Sequence, residues 1–188
     1  MKKLLLILSS LVLLVSCGKN NSDPSIKEEP KEATVLASNF NNPDAGGISD
    51  LEFEVNGVIF TSSQVAYNDG LTSTPLIQFS GTSKTRNGVL INKNKLFGHI
   101  EIKVRSHIFM DYGKETEATE KAAPLTILSG TSLDQVNNKL EATNLGLVGD
   151  YYTYTYDAIE NNYYFNLSNE SYYAQYIESI TFTKLSVE

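Results

Sequence analysis

The chain has 188 residues, 22 of them acidic and 15 basic, for a formal net charge of −7. An acidic balance of this size argues against nucleic acid as a partner and against electrostatic adhesion to anionic lipid. Cys17 is the single cysteine, so the fold has no internal disulfide to draw on and must be held by its core.

The first seventeen residues start Met1-Lys2-Lys3, run apolar from Leu4 to Val15 and end Leu14-Val15-Ser16-Cys17. A basic start, a short apolar segment and a small residue before the cut mark an export signal. The apolar run is too short to span a bilayer, which takes about 20 residues. The closing four residues resemble the lipobox of bacterial lipoproteins. The resemblance implies that residues 1–17 are a lipoprotein signal peptide and that Cys17 carries a covalent lipid. One acyl chain anchors only marginally, at about 0.8 kcal/mol per buried methylene, whereas three chains hold permanently. The expected location is a bacterial membrane, the outer one, with the protein facing the periplasm or the cell surface.

Residues 18–50 are polar and turn-rich, with Lys27-Glu28-Glu29-Pro30-Lys31-Glu32 and Asn41-Asn42-Pro43-Asp44-Ala45-Gly46-Gly47 at their centre. They read as a flexible tether, too poor in apolar surface to offset the entropy of ordering. Val35, Leu36 and Phe40 interrupt it and offer a first strand as the alternative. Residues 51–188 form a single domain, long enough to bury most of its unfolded surface.

The domain opens with the alternation Leu51-Glu52-Phe53-Glu54-Val55, then Asn56-Gly57, then Val58-Ile59-Phe60. Asn-Gly between apolar runs is a strong hairpin signal, because both turn positions need positive φ. Further strands are expected at residues 64–67, 76–79, 89–92, 97–105, 108–112, 125–128, 151–156, 163–167 and 177–187. In the 97–105 strand Ile100, Ile102 and Val104 share one face, and His99, Glu101, Lys103 and Arg105 the other. In the last strand Ile180 and Phe182 are out of phase with Leu185 and Val187, which calls for a bulge near Thr183 and Lys184. Ser132-Leu133-Asp134-Gln135 has the capping-box pattern, and Leu133, Val136 and Leu140 fit one helical face. The fold predicted is all-β: an antiparallel β-sandwich of jelly-roll or Ig-like type with one short helix, or alternatively a small β-barrel.

Pro75-Leu76-Ile77-Gln78-Phe79-Ser80-Gly81-Thr82-Ser83 is echoed at residues 124–132 as Pro-Leu-Thr-Ile-Leu-Ser-Gly-Thr-Ser, with six of nine positions identical. The echo fits either a duplicated half-domain or two uses of one turn chemistry. The stretches Glu54–Phe60, Gly149–Tyr154 and Ile180–Leu185 give the chain a further likeness. It resembles small lipoproteins of Bacteroidota that carry one all-β domain of unassigned role after a polar tether. That resemblance implies no catalytic residue.

Nine of the eleven tyrosines fall between residues 151 and 176. Tyr152, Tyr154 and Tyr156 alternate onto one strand face, and Tyr163 and Tyr164 extend the aromatic content nearby. Such rings suit a ligand-binding surface that stacks on sugars or apolar groups. They equally suit a sheet core, where cross-strand aromatic pairs stabilise. His99 and His107 are the only histidines, too few for a zinc site without carboxylates gathered by the fold. Asp44, Asp50, Asp69 and Asp150 lie in turn-like segments that could supply oxygen ligands to calcium, but no EF-hand spacing is present. Ser80 and Ser129 follow apolar strands without the Gly-x-Ser-x-Gly elbow of a hydrolase. Glu115, Glu117 and Glu120 form a charged run beside Lys114 and Lys121. No pair of carboxylates is singled out for glycoside hydrolysis. The function expected is a membrane-anchored lipoprotein whose β-domain binds a protein or glycan partner without catalysis, with no metal and no cofactor beyond the lipid on Cys17. The alternatives are an accessory subunit of an outer-membrane assembly and a hydrolase with dispersed catalytic residues.

Overall fold

The computed structural model describes residues 28–41, 49–69, 72–82, 86–105, 109–110, 114–115 and 122–185. Cys17 and its signal, His107, Asp44, Glu117, Glu120 and Val187 lie outside them. In chain order the strands are β1 (Ala33–Leu36), β2 (Ser49–Val55), β3 (Val58–Asn68), β4 (Leu76–Phe79), β5 (Val89–Asn92), β6 (His99–Arg105) and β7 (Phe109–Met110). They continue as β8 (Lys114–Glu115), β9 (Thr126–Gly130), β10 (Val136–Leu140), β11 (Ala142–Val148), β12 (Tyr151–Tyr156), β13 (Tyr164–Ser168) and β14 (Gln175–Thr183).

The protein is all-β, and its strands pair antiparallel. One hydrogen-bonded path runs β10-β9-β13-β5-β3-β4-β14-β6-β12-β11, with β1 added on β14 and β2 on β3. The strands at the two ends of this path, β10 and β11, are separated in the chain by Glu141 alone. The sheet therefore curls until its ends meet, nearly closing into a barrel, so the barrel alternative describes it more closely than two facing sheets. β7 and β8 form a separate two-stranded hairpin.

Two local signals act as their chemistry predicts. Asn56 and Gly57 adopt φ of 50° and 72°, and Val55 pairs with Val58 across the turn. In β6, Ile100, Ile102 and Val104 are fully buried, while the four polar residues between and around them face outward. The period of two thus decides which face meets the core. The core is continuous, and a chain of rings crosses it. Phe40 meets Phe53 edge-on at 4.9 Å, Phe53 stacks on Phe60 at 5.5 Å, and Phe182 lies 6.0 Å from Phe60 and 5.9 Å from Phe165.

Residues 31–41 belong to the folded body, not to a free tether, so the strand option for this segment is the one taken. β1 pairs with β14 through Ala33–Phe182 and Val35–Ile180. A 3₁₀ turn at Ala37–Phe40 then drops Phe40 into the core. Averaged composition hid this, because Ala33, Val35, Ala37 and Phe40 are buried while the residues between them are polar or exposed. Leu36 points outward. Lys31 Nζ donates to Gly57 O at 2.7 Å, Asn56 Nδ2 donates to Glu32 O at 2.7 Å, and Lys184 N donates to Glu32 Oε1 at 2.7 Å. These bonds sew the segment to the β2–β3 turn and to the end of β14.

The expected helix is instead a 3₁₀ turn at Leu133–Gln135 that leads into β10. Here the apolar spacing belongs to a hairpin: Val136 and Leu140 pair with Gly130 and Ile127. The turn folds tightly over Gly130, where a Cβ would overlap the Gln135 carbonyl. The bulge expected near Thr183 lies earlier in β14, between Ile177 and Ser179, and Leu185 falls beyond the strand and is exposed.

The echoed segments are not structural equivalents. In β4 Ile77 and Phe79 enter the core cluster and Leu76 is buried too; in the second copy the buried apolar positions are Leu125, just before β9, and Ile127, which match Leu76 and Gln78. Over the three positions after that shared buried leucine the two copies therefore face the core in opposite phase. What they share is a glycine under close backbone approach: a Cβ on Gly81 would overlap the Tyr172 and Tyr173 backbone.

β3 changes partners at Gln64, which has φ of 55° inside the strand. Before it β3 pairs with β5, and after it with β4. A left-handed conformation disfavours any residue with a Cβ, by about 1–2 kcal/mol. Gln64→Gly is expected to raise stability by about 0.5–1 kcal/mol, since glycine's own entropic cost offsets part of the relief. Gln64→Val is expected to lower it. Urea midpoints of the two variants check this, and a Gly variant less stable than the parent would refute it.

Candidate functional site

The alternating tyrosines of β12 point into the barrel. Tyr152, Tyr154 and Tyr156 pair with Val104, Ile102 and Ile100, the core-facing residues of β6. Tyr156 is 1% and Tyr154 6% exposed, and Tyr152 packs against the same core. Their hydroxyls have a specific task. Tyr154 Oη donates to Ala122 O at 2.9 Å, and Tyr156 Oη donates to Leu125 O at 2.6 Å. Residues 122–125 precede β9 without strand pairing of their own, and Ala122 and Leu125 are buried. Their carbonyls need these donors, because a buried backbone acceptor without a partner is costly. β12 and β9 flank β11 and β10. The two hydroxyls thus tie the sheet together across the place where its ends meet. Burial raises the pKa of both phenols, with a smaller contribution from the neighbouring tyrosine in each case, and burial alone raises that of Tyr176.

The three tyrosines expected to form a ligand face are core residues, then, because their strand presents that phase to the interior. Tyr163 and Tyr164 are half-buried and stand apart from them on and beside β13. Tyr163 lies under the Lys95 ammonium at 5.4 Å and directs its hydroxyl to Asn161 Oδ1 at 3.4 Å. Tyr164 faces outward beside Gly130, opposite in phase to buried Phe165. The five do not make one surface.

His99 faces outward, with Nδ1 3.8 Å from the Asp157 carboxylate. Asp50 lies in β2, Asp69 follows β3, and Asp150 sits in the β11–β12 turn 3.5 Å from Arg105. Among the described residues no three His, Cys, Asp or Glu side chains are grouped as metal ligands. Ser129 is fully buried; its hydroxyl donates to Asn138 O at 3.2 Å and accepts from Asn162 Nδ2 at 2.9 Å. Ser80 is likewise buried. Neither is presented as a nucleophile.

With the interior committed to packing, the features left for recognition are on the outside. One is the open edge of β11. It pairs with β12 on one side, and no strand among the described residues pairs with its other side. Leu145, Leu147 and Val148 are 61%, 52% and 77% exposed, and residues 142–148 carry no charge. The other is a groove of about 440 Å³ over β2, β3 and β5. Sequence patterning missed the edge because Gly146, at φ of 102° beside a register shift, breaks the alternation in Ala142-Thr143-Asn144-Leu145-Gly146-Leu147-Val148. Comparison with family models, with curated proteins and with solved structures finds no match.

The raised phenol pKa values give stability a definite pH dependence. Below the ordinary tyrosine value of about 10 both folded and unfolded chains keep these protons, and the contribution is complete. Above it the unfolded chain ionises while the buried phenols resist, so stability falls by about 1.4 kcal/mol per pH unit for each such group. Tyr156→Phe is expected to cost about 1–3 kcal/mol at pH 7, by leaving the Leu125 carbonyl unpaired, and to flatten the alkaline decline. Urea unfolding at pH 8 to 11 measures both effects, and an equally steep decline in the variant would exclude Tyr156 as a source.

Proposed function

We propose that the chain is an exported lipoprotein, anchored through a lipid on Cys17 to a bacterial outer membrane, whose β-domain binds a partner protein. The anchor rests on the basic start, the apolar run and Leu14-Val15-Ser16-Cys17. The observation that carries the binding role is the β11 edge. Edge strands are usually blunted by lysine, proline or covering segments, since their free N–H and C=O groups template further pairing. β11 has neither lysine nor proline, and it displays three large aliphatic side chains. An extended segment of a partner laid along it gains backbone hydrogen bonds and covers those side chains, the mode known as strand addition. A protein suits this surface better than a glycan, because no tyrosine lies on β11 and the rings of Tyr154 and Tyr156 on its neighbour β12 are buried.

Two measurements test the proposal. Cys17→Ser is expected to abolish fatty-acid labelling and move the protein from the membrane to the soluble fraction of its host; a variant that keeps label and location would sink the anchor. Leu145→Lys combined with Leu147→Lys, both at exposed positions, is expected to leave the thermal midpoint within a few degrees of the parent. The same double variant is expected to lose a protein that co-purifies in equal amount with the parent. Equal recovery with parent and variant, or recovery of the lipoprotein alone, would count against the edge.

A further inference from the structure

The outer face of β2, β3 and β5 carries the groove of about 440 Å³, within the roughly 300–1,000 Å³ span of ligand clefts. Its floor follows from strand register. Thr61 stands opposite Glu52 on one side and Ile91 on the other, and Ser63 stands opposite Val89. These central residues are half-buried, so the floor is aliphatic with hydroxyls between. The rim is charged and asymmetric. Asp50 and Glu52 are exposed on β2; Lys93 is exposed just past the end of β5, its N–H bonded to Ile59 O at 2.8 Å. None of the three forms an ion pair among the described residues.

The geometry points to a binding site for a short zwitterionic peptide with aliphatic side chains, its amino group at Asp50 and Glu52 and its carboxylate at Lys93. β2 and β5 are two inter-strand steps apart, about 10 Å. An extended chain of three residues has about the same length. Two carboxylates on one wall and one ammonium at the other end complement the opposite ends of such a ligand. The aliphatic floor takes its side chains. A sugar is a poorer match, since no aromatic ring lines the groove. Nucleotides are a poorer match as well, since their phosphates would meet the two carboxylates.

The test is a titration of the full-length chain in detergent micelles with trivaline, followed by backbone amide NMR. Saturable shifts centred on Thr61, Ser63, Val89 and Ile91 are expected. N-acetyl-trivaline amide, which lacks both charges, is expected to bind at least about fivefold more weakly, the scale of an exposed ion pair. Lys93→Gln is expected to weaken trivaline while leaving trivaline amide unaffected, and Glu52→Gln to weaken both. Lys93 and Glu52 are exposed, so these variants keep the fold, and unchanged amide spectra of the free proteins verify it. Absence of saturable shifts at tens of millimolar, or equal affinity for the capped peptide, would overturn the assignment.

Discussion

Two phenol hydroxyls hold the ends of this sheet together. A sheet wound almost into a barrel must end somewhere, and here it ends where the chain runs from β10 straight into β11. Segment 122–125 lies beside that place, without ladder partners and with Ala122 and Leu125 buried. Tyr154 and Tyr156 reach from β12 to its carbonyls at 2.9 and 2.6 Å. Phenylalanine at either position would fill the same space and leave an acceptor unmet. This requirement explains tyrosine at positions 154 and 156, and it withdraws both rings from any ligand.

The rest of the closure is made by strands that change partners. β3 pairs with β2 and β5 in its first part and with β4 in its last, and the left-handed Gln64 is the hinge between them. β14 does the same around Glu178, with β4 near its start and β1 near its end. Between β1 and β2 the 3₁₀ turn inserts Phe40, whose ring meets Phe53. Each bulge disrupts the ladder locally and bends the strand. The phenylalanine chain from Phe40 to Phe165 fills the space so enclosed.

How far the sequence discloses this depends on whether a local signal has one structural outcome. Asn56-Gly57 does, since few turns other than a two-residue hairpin use two consecutive positive φ values. The β6 alternation does as well, because charged residues alternate with aliphatic ones and only one phase can face a core. Tyr152, Tyr154 and Tyr156 share a face on the same logic, but tyrosine is at home on either side of a sheet. Spacing therefore establishes the shared face and leaves its direction open. Leu133, Val136 and Leu140 fit a helical stripe and a turn followed by a strand equally well, and the tight approach over Gly130 decides for the turn. Ala33, Val35 and Phe40 were diluted by polar neighbours. The groove over β2, β3 and β5 joins residues 50 to 93, which only strand register brings side by side.

The place where the chain meets the barrel has a consequence for both outer surfaces. Lys31, Asn56 and Glu32 bond the N-terminal segment to the β2–β3 turn and to the start of the tail after β14, so the first strand is fixed rather than free. A lipid on Cys17 would therefore hold the body through a stitched attachment, leaving only the residues before it to set its distance from the membrane. The groove shares β2 and β3 with that attachment, and its Lys93 bonds beside Ile59, close to the turn. β11 stands at the far end of the strand path, separated from β3 by four intervening strands along it. An anchor of the proposed kind would thus constrain the groove more than the edge strand. A small ligand tolerates such confinement, whereas a protein laid along an edge needs clear approach, so the two proposed occupants would place different demands on the two surfaces.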